Sequence, residues 1–153
     1  MFAPKNSNGK LEWFKGNVDA LMVYRYLVDL AHIWDDLVDQ DKDVTAEDIT
    51  YAFAIPLAIL PQNAFWQFIE PEIRNFWPAV VASYMTANAY EKAKDEHGLE
   101  ISHGLRYAVG QVFTYIFVKL HGAVNAQPVL QEAWLSMMPE RFEVYKKERT
   151  NAV

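Results

Sequence analysis

Apolar side chains recur along this chain at three- and four-residue spacing, and that period constrains the fold more than any other feature. Val23, Tyr26, Leu27, Leu30, Ile33, Trp34 and Leu37 form one such series, which places them on a single face of a helix with 3.6 residues per turn. The strict polar–apolar alternation of half-buried strands is missing, so the pattern predicts an all-α fold. Boundary signals divide it. A first helix is expected over 17–41, capped by Asn17. Thr45 followed by Asp48 opens a second in a capping-box spacing; Pro56 should bend it and Pro61 limit it. A short helix over 62–68 precedes a long one from Pro71 to about residue 96, restarting at Pro78 and closed by His97-Gly98. Further helices are expected over 102–121, stopped by Gly122, and over 128–148, opened by Pro128. The expectation is an N-terminal arm or loop over 1–16 and one domain over 17–153, a helical bundle of four long helices plus one or two short ones.

The chain is long enough at 153 residues to bury one core, and 22% charged residues beside 52% apolar ones are those of a globular protein. Five Trp, eight Tyr and nine Phe imply that large flat side chains fill that core. A formal charge of −6 opposes binding to nucleic acid or an anionic membrane and favours cations. With no Cys, disulfides, thiolate zinc sites and Cys nucleophiles are excluded, and a cytoplasmic protein is the simplest expectation. Residues 49–69 carry no charge over 21 positions, about the length of a membrane span. Pro56, Pro61, Gln62, Asn63 and Gln67 interrupt that run, so two buried helices joined near Pro61 are expected instead.

One polar stripe interrupts the apolar pattern. At about 100° per residue, Arg25, Asp29, His32, Asp36 and Asp39 fall within roughly 80° on the first helix, with Asp35 about 40° beyond. An amphipathic helix must show some face to water, so a solvated stripe is one reading. Position argues for another, because Asp35, Asp36, Asp39, Asp41 and Asp43 gather at a helix C-terminus. Carboxylates there oppose the helix dipole at about 0.3–1 kcal/mol each, which a divalent cation held by hard oxygen ligands would relieve. Tyr84, Asn88, Glu91 and Asp95 share a second arc of about 60° near the end of the helix expected up to residue 96. If both acidic ends emerge on the same side of the bundle, Asp35, Asp36, Asp39, Glu91 and Asp95 form a site for Mg²⁺ or Mn²⁺.

Asp35-Asp36-Leu37-Val38-Asp39 resembles the DDxxD motif of class I isoprenoid and terpenoid synthases, which are all-helical and use it to hold Mg²⁺ against a substrate diphosphate. Asn88, Lys92 and Glu96 repeat the i, i+4, i+8 spacing of that family's second metal motif, with Lys92 standing where the family has a hydroxyl. The likeness spans about 14 residues of a chain roughly half the usual synthase length. Helical nucleotide pyrophosphohydrolases share the same chemistry in a smaller frame. Either resemblance implies Mg²⁺-dependent chemistry on a small diphosphate-bearing molecule, a prenyl diphosphate or a nucleotide. In hydrolysis, Asp29 or Asp95 would orient or deprotonate the water, while Arg25, Asn88 and Arg106 would meet the substrate. No His pair has zinc or di-iron spacing, and no Gly-rich phosphate loop is present. The alternative is a non-catalytic binding or assembly module, for which Trp66, Phe68, Phe76 and Trp77 are candidate contacts. A homodimer would also let two short chains enclose a larger cavity.

Overall fold

The computed structural model describes residues 2–40 and 42–151, and these residues form eight α-helices with no strand. They gather into two units, residues 1–72 and 73–153. The boundary falls at the end of a helix rather than in a Gly- or Pro-rich linker, so composition does not mark it.

In the first unit a 3-10 turn, Leu11–Phe14, leads into α1, Val18–Asp39. Asn17 caps α1, its side chain accepting from Ala20 N at 2.9 Å, and Gln40 ends it in the left-handed region with φ 55°. The helix thus ends short of the expected limit, and Asp41 lies outside the described residues. Thr45 and Asp48 satisfy each other's backbone amides in a full capping box at the start of α2, Ala46–Ala54. Pro56 then removes a backbone donor, and the chain widens into a π-turn, Ile55–Ile59, in which Leu60 N–H reaches back to Ile55 O. A 3-10 turn, Leu60–Gln62, connects to α3, Ala64–Ile73. Phe14, Val23, Tyr24, Tyr51, Ile55 and Ile69 are the centre of this unit, each no more than 1% exposed. Every such side chain contributes roughly 1.5–3 kcal/mol by leaving water.

The arm preceding α1 is held against it. Gly9 turns it with φ +84°, where a Cβ would lie 3.0 Å from the ring of Tyr24, so both backbone and space call for glycine. The Tyr26 hydroxyl donates to Phe2 O at 2.9 Å. Arg25 donates through Nε to Asn8 O at 3.0 Å and through a terminal nitrogen to Ser7 O at 3.3 Å.

The second unit contains α4, Trp77–Ala93, α5, Glu96–Leu105, α6, Val109–His121, α7, Ala123–Met137, and α8, Phe142–Asn151. Helices α4 and α5 pack as one pair, α6 and α7 as another, and α8 lies on α5. Gly110 permits the second pairing: a Cβ there would meet Trp134 Cη2 at 2.4 Å. Tyr84, Leu99, Val112, Phe113, Ile116, Phe117 and Tyr145 are buried.

Several helix boundaries differ from the sequence reading. Pro71 lies inside α3 rather than opening a helix, and Pro78 instead occupies the first turn of α4, where a missing N–H costs nothing. The helix expected to reach residue 96 stops at Ala93, with Lys94 at φ 55°, and Asp95 caps a new helix by accepting from Gly98 N at 2.9 Å. His97-Gly98 is therefore a helix start, and Gly98 packs under Tyr90, where a Cβ would lie 2.9 Å away. The expected 102–121 helix is two helices parted at 106–108, and the expected 128–148 helix is two parted around Pro139. Pro128 sits within the second turn of α7 and forfeits one hydrogen bond there. Among the described residues, no single helix is long and apolar enough to cross a membrane.

Candidate functional site

The carboxylates singled out in the sequence are divided between the units, Asp29, Asp35, Asp36 and Asp39 in the first and Glu91 and Asp95 in the second. In the first unit a cleft of about 310 Å³ is lined by the arm through Lys5 and Asn6, by α1 through Asp29, His32, Ile33 and Asp36, by the following loop through Lys42, Asp43 and Val44, and by α2 through Asp48. Three members of the polar stripe thus share one wall because they stand at i, i+3 and i+7 on α1.

Asp29 is the floor of this cleft and is only 3% exposed. Its Oδ1 accepts from Asn6 N at 3.2 Å and Asn6 Nδ2 at 2.6 Å. Its Oδ2 accepts from Lys5 N at 2.6 Å and the Tyr51 hydroxyl at 2.6 Å. Four donors satisfy a carboxylate that burial would otherwise make costly. Burial, and then the hydrogen bond to Asp29, push the Tyr51 hydroxyl pKa well above the usual tyrosine value. The side chain expected to handle a water molecule therefore anchors the arm.

The rim carries paired charges. The Lys5 ammonium binds Asp48 and lies 5.2 Å from the centroid of the Tyr51 ring. Its hydrogen bond to Asp48 raises the lysine pKa, and the same bond, with those from Thr45, holds the Asp48 carboxyl well below the usual range. Lys42 reaches Asp36 at 3.3 Å. Asp35 and Asp39, both half-buried at the end of α1, do not line the cleft. Arg25, expected to meet a substrate, directs its guanidinium to arm carbonyls. Among the described residues, no group of three or more His, Asp or Glu side chains is placed to hold a metal ion.

Glu91, Asp95, Asn88 and Arg106 lie in the second unit. Glu91, in the last turn of α4, is largely covered and engaged by partners: Oε1 accepts from Arg106 at 3.1 Å and from the Tyr145 hydroxyl at 2.6 Å, while Oε2 lies 3.2 Å from Arg149 Nε. Ser102 Oγ, fully buried, sits 2.6 Å from the same phenol oxygen and 3.0 Å from Ala87 O. Asn88 is half-buried beside this network, and its Oδ1 accepts no hydrogen bond among the described residues. Asp95 is the exposed cap of α5. Lys5, Asn6, Lys42 and Tyr51 were missed as site residues because no motif or helical period relates them to α1. Of the four, Lys42 alone carries a sequence signal, its place in the cluster of Lys and Asp at 41–48.

The chain matches no protein-family model, no curated protein and no solved structure.

Proposed function

We propose that this chain is a binding module whose first unit takes a small organic dication, a linear diammonium compound, in the cleft between the arm, α1 and α2. The observation that carries this reading is the charge of the lining: Asp29, Asp36, Asp43 and Asp48 face only two lysines, Lys5 and Lys42. Asp29 is occupied by the fold, so Asp36 and Asp48 define the two binding positions, each already holding an ammonium group. At Asp48 the face of Tyr51 adds the electrostatic attraction of a π-system. A free monoamine must displace a tethered lysine whose effective concentration is on the order of millimolar. A ligand with two ammonium groups gains both positions at once and is the better competitor. A volume of about 310 Å³ is near the lower limit of roughly 300 Å³ for small-molecule sites.

A second reading, Mg²⁺-dependent chemistry on a diphosphate, is favoured by Asp36 of the DDxxD-like string lying beside Lys42 in the same cleft. In it, Asp36 and Asp43 would face the ion while Lys5 and Lys42 would take phosphoryl oxygens. Titration calorimetry separates the two. With 1,4-diaminobutane, wild type should give binding at least about tenfold tighter than with butylamine, and Asp36→Asn/Asp48→Asn should abolish the difference. Heat only from Mg²⁺ with pyrophosphate, together with pyrophosphate release from nucleoside triphosphates or prenyl diphosphates, would overturn the diammonium reading in favour of the second. No heat from any of these would overturn both.

A further inference from the structure

Helix α8 is joined to one helix pair and packed on the other. It follows α7, which packs on α6, yet it lies on α5, and the crossing is made by residues 138–141, a short segment containing Pro139. At ten residues it is below the length of about 12–15 at which an isolated helix holds itself together. Tyr145 is its buried residue, and the rest of its sequence is dominated by charged and polar side chains. Its attachment is therefore concentrated in one group of contacts.

That group is specific. The Tyr145 ring lies 4.9 Å from the His103 ring, with the Arg106 and Arg149 guanidiniums 5.6 and 5.3 Å from its centroid. Its hydroxyl reaches Glu91 and Ser102 at 2.6 Å each. Acids on the receiving surface meet bases on α8, Glu91 with Arg149 and Glu96 with Lys146. Nothing in this chemistry requires the helix and the surface to belong to one molecule. We infer that α8 is an exchangeable clasp, and that the α4–α5 surface formed by Glu91, Glu96, Ser102, His103 and Arg106 is a docking site for α8 of a second copy of this chain. In the monomer the connection at 138–141 keeps α8 at an effective concentration on the order of millimolar over its own groove, so exchange appears at high protein concentration. Closed, reciprocal exchange yields a two-fold dimer.

The test uses full-length chains. Deleting Pro139 and Glu140 keeps every clasp and groove residue named above, forfeits the contact between His103 Nε2 and Glu140 O at 2.9 Å, and shortens the connection, so that α8 reaches a partner's groove more readily than its own. Light scattering after size exclusion should show this variant as a dimer whose dissociation constant is at least about a hundredfold lower than that of wild type. Complementation provides the second measurement. Tyr145→Ala disables the clasp and Ser102→Leu fills the groove, so each alone should stay monomeric, while an equimolar mixture should form a heterodimer of twice 17.7 kDa. Circular dichroism of each variant establishes that it is folded, and if either point variant is not, the deletion variant alone decides. A monomeric deletion variant, or a mixture of folded point variants with the mass of its components, would overturn the inference.

Discussion

Replacing Asp29 with Asn tests whether the buried carboxylate is a fastening for the arm. The substitution changes few atoms but converts one acceptor oxygen into a donor, and both oxygens face two donors each. If the new amide group takes the Oδ2 position, it opposes Lys5 N, while the Tyr51 hydroxyl of a wholly buried ring gives up its donated bond and turns to accept. If it takes the Oδ1 position, it opposes Asn6 N and Asn6 Nδ2, and the second of these keeps its bond to Arg25 O at 2.9 Å. Either arrangement leaves one donor wholly opposed and one group that keeps another bond. A buried donor left unsatisfied costs about 1–3 kcal/mol, so one full loss and one partial loss give a destabilisation of about 2–4 kcal/mol. With a urea dependence of roughly 1–3 kcal/mol per molar, the unfolding midpoint of the first unit should fall by about 0.7–4 M. Amide exchange of Lys5 and Asn6 should accelerate, because Asp29 accepts both of their backbone N–H groups. Tyr51→Phe removes a hydrogen bond that is charge-assisted only while residue 29 is a carboxylate, so it should couple favourably with Asp29→Asn by about 0.5–3 kcal/mol in a double-mutant cycle. An unchanged midpoint with Lys5 and Asn6 still protected would refute the reasoning.

Gly110→Ala should destabilise the second unit by about 1–3 kcal/mol through overpacking, despite the better helix propensity of Ala, because its Cβ meets Trp134; Trp134→Leu in the same chain should recover part of the loss in a thermal melt. Glu140 has a pKa raised first by burial and then by Glu148. As an acid titrating higher in the folded state, it contributes stability fully present below the ordinary glutamate value of 4.5 and lost as pH rises through its raised folded pKa. Glu140→Gln should flatten the stability of the second unit across that window, and an unchanged slope would show that the group does not titrate with folding.

Local signals located much of α1 and α2. Asn17 and the Thr45-Asp48 box act within three residues, so their geometry is written in adjacent positions. The turn at 94–98 shows where such signals fail. Asp95 followed by Gly98 fits both a helix end at glycine and a cap before it. Packing of Gly98 under Tyr90 decides for the cap, and Tyr90 lies on a different helix. The break at 106–108 carries neither Gly nor Pro. It is accompanied by Arg106 reaching Glu91 across 15 residues.

That the chain is helical, that aromatics fill its interior and that Asp29, His32 and Asp36 share a face follows from residue order alone, because helical period and side-chain chemistry are properties of near neighbours. Tertiary structure decided what those groups do. Asp29 became an anchor once the arm supplied donors from 23 and 24 positions away, and Glu91 became the centre of a buried network once α8 brought Tyr145 from 54 positions away. A carboxylate's role depends on the donors around it, and those donors come from segments that only folding brings together.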